Sequence, residues 1–128
     1  MITGGEPRLS VGNSVEVFNP HTNRSCNLTD LPGEVRYGHS LCGDLLCGGD
    51  SSSSTRRSCL KLDPQTGVFT STSVSLEEER ALHQCWDVKG EGGPILLIGG
   101  GYSPRSTELV SPDGSTSTAN FTLQYDTR

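Results

Sequence analysis

Leu45-Leu46-Cys47-Gly48-Gly49 and Leu96-Leu97-Ile98-Gly99-Gly100 follow one local pattern, three apolar residues closed by paired glycines. A run this short suits a buried strand, and two glycines suit a place where the backbone turns or packs closer than a Cβ allows. Working outward, Gly4-Gly5 recurs as Gly48-Gly49, Pro20 as Pro64, Thr22 as Thr66, Arg36 as Arg80 and His39 as His83, each pair 44 residues apart without a gap. The third copy follows Val88-Lys89-Gly90-Glu91-Gly92-Gly93-Pro94, whose Gly and Pro content predicts a lengthened hairpin loop; it adds 7 residues, so Gly99 lies 51 after Gly48. Asp63-Pro64-Gln65-Thr66-Gly67 is then answered by Ser111-Pro112-Asp113-Gly114 after a 3-residue shortening. A fixed period of this length identifies a repeat architecture.

Inside each unit the signals are those of short strands and turns. Val15-Glu16-Val17-Phe18 and Cys59-Leu60-Lys61-Leu62 alternate toward a Pro turn, and Val68-Phe69-Thr70-Ser71 and Asn120-Phe121-Thr122-Leu123 follow such turns. A polar stretch then leads to Arg36-Tyr37-Gly38-His39 or Arg80-Ala81-Leu82-His83, which opens the next unit. The reading is four strands per unit, with units over about 1–35, 36–79 and 80–128 of one repeat segment.

Composition agrees. Of 128 residues, 31% are apolar, 5% are aromatic and 16 are Gly, so each unit can bury only a narrow stripe, which suits turn-rich β structure better than helices. The net charge of −5, with Arg56-Arg57 the only adjacent basic pair, argues against a nucleic-acid partner. The longest apolar run, Ile95-Leu96-Leu97-Ile98, is far shorter than the ~20 residues of a membrane-spanning helix, so no membrane insertion is expected. Met1 leads into an apparent strand end without the marks of a signal peptide, and Leu123 to Arg128 stop mid-repeat, so both termini read as cut.

The paired glycines, the Asp/Asn-Pro-x-Thr turn and the Arg-x-x-His step together resemble the kelch repeat of β-propellers, over nearly the whole chain. The resemblance implies an all-β fold, a partial kelch-type propeller of about two and a half four-stranded blades, with the remaining blades supplied by a longer chain. Kelch units usually carry a Trp three residues after the turn Thr. Ser25 and Phe69 stand there, and the only Trp, Trp86, follows His83, so the branch is divergent. A blade leaves an apolar face bare on each side and must stack on neighbours to be stable.

Five cysteines, Cys26, Cys42, Cys47, Cys59 and Cys85, match no zinc framework and favour disulfides. Cys47 ends one strand and Cys59 begins the next, so an antiparallel hairpin can bring them to bridging distance. Cys26, Cys42 and Cys85 can pair among themselves or with other sequence, and buried free thiols are the alternative. Asn23-Arg24-Ser25, Asn27-Leu28-Thr29 and Asn120-Phe121-Thr122 are glycosylation sequons, Asn23 being at a turn. Cysteines and sequons together point to an extracellular or cell-surface glycoprotein, with the cytoplasm as the alternative.

The chemistry-bearing residues read as scaffold. His39 and His83 hold one repeat position and predict a repeated structural hydrogen bond; His21 sits alone in a turn. Glu77-Glu78-Glu79 reads as a solvated face, and Ser51 to Thr55 as a low-complexity, flexible hairpin tip. Gly99-Gly100-Gly101 lacks the Lys and helix of a phosphate loop. No catalytic residue, metal or cofactor is expected. Galactose-oxidase-type copper enzymes carry a kelch-like propeller, but Tyr37, Tyr102 and Tyr125 form no matching ligand motif. The expectation is a non-catalytic module that binds protein or glycan through the loops Pro7–Asn13, Asp50–Arg57 and Tyr102–Ser106. An intracellular substrate-recognition adaptor is the runner-up.

Overall fold

The computed structural model describes residues 2–3, 12–33, 35–51, 53–90, 92–100 and 106–122, those at 2–3 and 119–122 by backbone alone. They form eleven strands and, among the described residues, no helix: β1 Ile2–Thr3, β2 Val15–Asn19, β3 Arg24–Asn27, β4 Ser40–Cys42, β5 Leu45–Cys47, β6 Ser58–Asp63, β7 Val68–Ser75, β8 Gln84–Asp87, β9 Ile95–Ile98, β10 Ser106–Val110 and β11 Thr116–Thr122. Three antiparallel sheets result, ordered β1-β2-β3, β4-β5-β6-β7 and β8-β9-β10-β11. Each is a meander in which neighbours in sequence are neighbours in space. The strand after the third turn begins at Thr116, earlier than the expected Asn120.

Register explains why the middle sheet carries apolar residues at successive positions. Leu46, Leu60 and Phe69 pack toward the first sheet with Val15 and Leu31, while Cys47 and Cys59 pack toward the third with Leu76, Ile95, Leu97 and Val110. Side chains alternate across a strand, so Leu45-Leu46-Cys47 serves both faces. Phe69, in the place where kelch units carry Trp, is buried to 2% exposure; Ser25, its counterpart one unit earlier, is exposed opposite Phe18.

The repeated turns use local chemistry. The Asp63 carboxylate accepts from the Gln65 amide at 2.9 Å and the Thr66 hydroxyl at 2.9 Å, and Asn19 Oδ1 accepts from the His21 amide at 2.9 Å. In the third turn this acceptor has moved to Asp113, which takes the Ser115 amide and hydroxyl. Those hydrogen bonds hold both carboxyls below their usual range, Asp63 chiefly through the Gln65 amide and Asp113 chiefly through the Ser115 hydroxyl. Pro20 and Pro64 are both exposed at the start of their turns.

Candidate functional site

The two ends of the stacked sheets differ in what they present. At one end lie residues 35–39, the β5–β6 loop and the connection from β7 to β8. Here Arg36 and Arg80, 4% and 1% exposed, do the same thing in successive units. Arg36 Nη1 donates to the carbonyls of Gly48 at 2.8 Å and Ser58 at 2.9 Å, and Nη2 to Ser58 Oγ at 2.9 Å. Arg80 Nη1 donates to the carbonyls of Gly99 and Ser106, both at 2.9 Å, and Nη2 to Ser106 Oγ at 2.8 Å. The guanidinium fork suits this, because one planar group satisfies two carbonyls that the strand ends leave over. Arg36 is lowered to about 10, by burial first and the Arg56 charge second, and remains cationic near neutrality.

The glycine pair is required by the same packing. Gly48 and Gly49 have φ of 67° and 100°; a Cβ on Gly48 would overlap the Arg80 carbonyl oxygen, and one on Gly49 would meet Arg36 Cγ at 2.7 Å. The Gly49 amide donates to that Arg80 carbonyl at 2.7 Å, so Arg80 holds the middle sheet through its backbone and the third through its side chain. Gly99 and Gly100 are buried in the corresponding place; Gly4 and Gly5 lie outside the described residues.

His83, 4% exposed, shares a 2.6 Å hydrogen bond through Nε2 with Ser40 Oγ of β4. Burial, then the charges of Arg80 and His39, lower its pKa to about 4, so the ring is neutral at physiological pH and joins the third sheet to the second. His39 is half-buried at the equivalent point. Glu108 was not foreseen as a buried residue: it is 0% exposed, its carboxylate 3.2 Å from Arg80 Nε, and it accepts from the Glu77 amide. Glu78, expected on a solvated face, is half-buried, 3.5 Å from Arg80, and accepts from the Ser106 hydroxyl. Only Glu77 and Glu79 are exposed as read.

The Asp50–Arg57 loop is more knit than its serines suggested. Tyr37 and Asp50 exchange backbone hydrogen bonds, the Ser51 amide and hydroxyl both reach the Ser54 carbonyl, and the Arg56 amide donates to the Gly49 carbonyl. Ser53, Ser54 and Arg57 remain exposed, and Leu82, in the connection from β7 to β8, is 53% exposed. Of the other loops, 4–11 and 101–105 lie outside the described residues, and with them Tyr102. Asn23 and Asn27 are exposed, and Asn23 adopts φ 53°, the left-handed turn conformation that Gly67 has one unit later.

Two disulfides join the cysteines. Cys47 and Cys59 face each other across β5 and β6 with Cα atoms 4.2 Å apart, as the hairpin predicted. Cys42–Cys85 bridges β4 to β8, from one sheet to the next, a pairing the sequence left open; Cys26 is a free, exposed thiol. Two such bonds belong to an oxidising environment.

At the other end, a cleft of about 310 Å³ opens between the second and third sheets, bounded by the β4–β5, β8–β9 and β10–β11 turns. Leu45, Val74, Ile95 and Val110 form its apolar walls, and Asp44, Asp87, Asp113 and Lys61 its charged lining. Asp44 lies 3.6 Å from Lys61, whereas Asp87 Oδ1 is buried without a hydrogen-bond partner. In the repeat register Asp87 occupies the unit position of Gly43. Among the described residues no three His, Cys, Asp or Glu side chains come together as a metal group. Compared with models of known families and with curated proteins, the chain gave no match.

Proposed function

We propose that the chain is a non-catalytic, extracellular binding segment of a kelch-type β-propeller. The observation that carries this reading is the repeated Arg36 and Arg80 arrangement, in which the same side chain closes the same glycine and serine carbonyls in consecutive sheets. Residues that would otherwise invite a catalytic reading are engaged in that scaffold, His83 included. The outer face of the third sheet supports continuation into further blades. Trp86, Leu96 and Leu109 form one cross-strand row on it, with Trp86 60% exposed. Ile98 and Thr107 pair there in the places of Cys47 and Cys59, which the third sheet covers in the unit before.

The exposed loop residues at the arginine-bearing end form the surface for a protein or glycan partner, and no nucleic acid or cofactor enters the proposal. The disulfides and the exposed sequon residues Asn23 and Asn27 support a secreted or cell-surface setting. The test is intact mass of the protein made through a secretory pathway, before and after glycosidase, with and without reduction ahead of alkylation. Glycan loss and four thiols that appear only on reduction are expected. An unmodified chain with all thiols free would replace this reading with the intracellular adaptor.

A further inference from the structure

We infer that Ser14 and Glu16, on the outer face of the first sheet, form a receptor for one arginine side chain, which Arg128 of a second copy fills in a head-to-tail stack. The inference rests on the propeller reading for the stacking, and on the arginine sites within the chain for its chemistry. Arg80 shows the complete acceptor set, since its guanidinium takes the Ser106 carbonyl and hydroxyl together with the Glu108 carboxylate. In the repeat register Ser14 stands where Ser58 and Ser106 stand, and Glu16 where Leu60 and Glu108 stand. The backbone agrees: Ile2 pairs with Glu16 as Leu46 pairs with Leu60 and Leu97 with Glu108.

Val15 packs toward the second sheet, so Glu16 beside it points away from that sheet. The Glu16 carboxylate is half-buried and has no hydrogen bond or ion pair among the described residues. Strand pairing on both sides, with Ile2 and Asn27, fixes its backbone. A guanidinium suits the place because one planar fork can reach a carboxylate and the serine beside it. Other contacts at Ser14 do not compete: the Ser58 carbonyl accepts from the Gly48 amide at 3.2 Å and still takes Arg36 at 2.9 Å. Asn27, opposite Glu16, stands in the place of Ser71, which stays exposed on a stacked sheet, so a glycan there leaves the contact open.

The occupant follows from the same register. Arg36, Arg80 and Arg128 stand at one unit position, 44 and then 48 residues apart, and each of the first two binds the serine of the sheet that follows it. Within the chain, the face of the second sheet bearing Cys47 and Cys59 packs on the face of the third bearing Leu97 and Val110. The two outermost faces are the same pair of halves. The third sheet presents Ile98 and Thr107 in the cysteine places, with Trp86 60% exposed on that face, and the first presents Phe18, 45% exposed, in the place of Val110. Two copies of three sheets bring six together, within the roughly four to eight blades at which propellers close. A head-to-tail contact can then end in a ring rather than a filament.

The experiment is sedimentation equilibrium of the 128-residue chain, both disulfides formed, across roughly 1–100 μM. A reversible dimer is expected. Glu16→Gln and Arg128→Gln should each weaken it about tenfold or more, the loss of a charge-assisted hydrogen bond. Glu16→Arg and Arg128→Glu, each folded by its amide spectrum, should be monomeric alone and associate when mixed, because every contact in the mixed pair again joins an arginine to a glutamate. A monomer throughout, a dimer indifferent to Glu16→Gln, or a mixture that associates no better than its parts would each overturn the assignment. A symmetric dimer through the third sheet would do so too, being lost in Trp86→Ser and unchanged in both charge variants. These results read the stack, whereas thiol and glycan masses read the compartment, so failure of one is distinct from failure of the other.

Discussion

The interface between the first and second sheets and the interface between the second and third repeat one design with different materials. The first is filled by large apolar groups, Phe69, Leu31, Leu46 and Leu60 with Val15, and its arginine, Arg36, has a buried Nε without a partner. The second has a core of more numerous groups, built partly from the Cys47–Cys59 pair, and adds a covalent bridge, a buried carboxylate and a histidine. Leu60 and Glu108 mark the change, since they stand at the same unit position, two residues beyond the serine that each arginine binds. Repeats thus keep one hydrogen-bond geometry while the means of holding sheet to sheet varies: aromatic and leucine packing at the first interface, apolar packing joined by charge and covalent closure at the second.

The comparison breaks most readily at the arginines. Arg80→Leu should destabilise by about 3–5 kcal/mol in urea unfolding, because Glu108 is left charged and buried without its cation. Arg36→Leu should cost about 1–3 kcal/mol, leaving only carbonyl and hydroxyl acceptors unmatched. Pairing Arg80→Leu with Glu108→Leu should recover much of the larger loss. Equal costs for the two single variants would show that Glu108 does not set the two interfaces apart.

Acid should test the second interface through His83. Its folded pKa of about 4 lies below the ordinary 6.5, so the unfolded chain takes up the proton first. Stability is therefore fully present above about pH 6.5 and falls as the pH drops toward 4, by up to about 3 kcal/mol. Asp63 and Asp113 are held below 3.8 and titrate under that window. His83→Gln should flatten the decline between these limits; an unchanged slope would assign it to other groups.

The smallest effect sharpens the comparison at the two unit openings. Gly38 has φ 64° and its counterpart Leu82 has φ 56°, a left-handed conformation that disfavours a leucine. Leu82→Gly should stabilise by up to about 1 kcal/mol, offset in part by the greater freedom of glycine when unfolded. Thermal unfolding would read it, and destabilisation would mean that the leucine side chain contributes packing that outweighs its backbone strain.

The repeat was legible because backbone demands are local. Paired glycines, turn prolines and alternating strands are fixed by what adjacent residues must do, and Cys47–Cys59 followed because both cysteines sit in one hairpin. Cys42–Cys85 was not, since it depends on how one sheet lies on the next. Glu108 and Glu78 escaped for a related reason: charge reads as exposure unless a buried guanidinium is known to be nearby. The cleft is the extreme case, being lined from three separate turns that only sheet stacking assembles.

The two disulfides also differ in when they can close. Cys47 and Cys59 are separated by 12 residues within one hairpin, so their encounter needs only local chain closure and can precede the assembly of the sheets. Cys42 and Cys85, separated by 43, meet only once two meanders have formed and docked. Oxidative refolding should therefore trap a species with the short bridge alone. In that species Cys26, Cys42 and Cys85 are all thiols, and which of them closes depends on docking outrunning exchange with exposed Cys26. The inter-sheet bridge is in this sense a record of successful stacking, written last and absent from any chain that failed to stack.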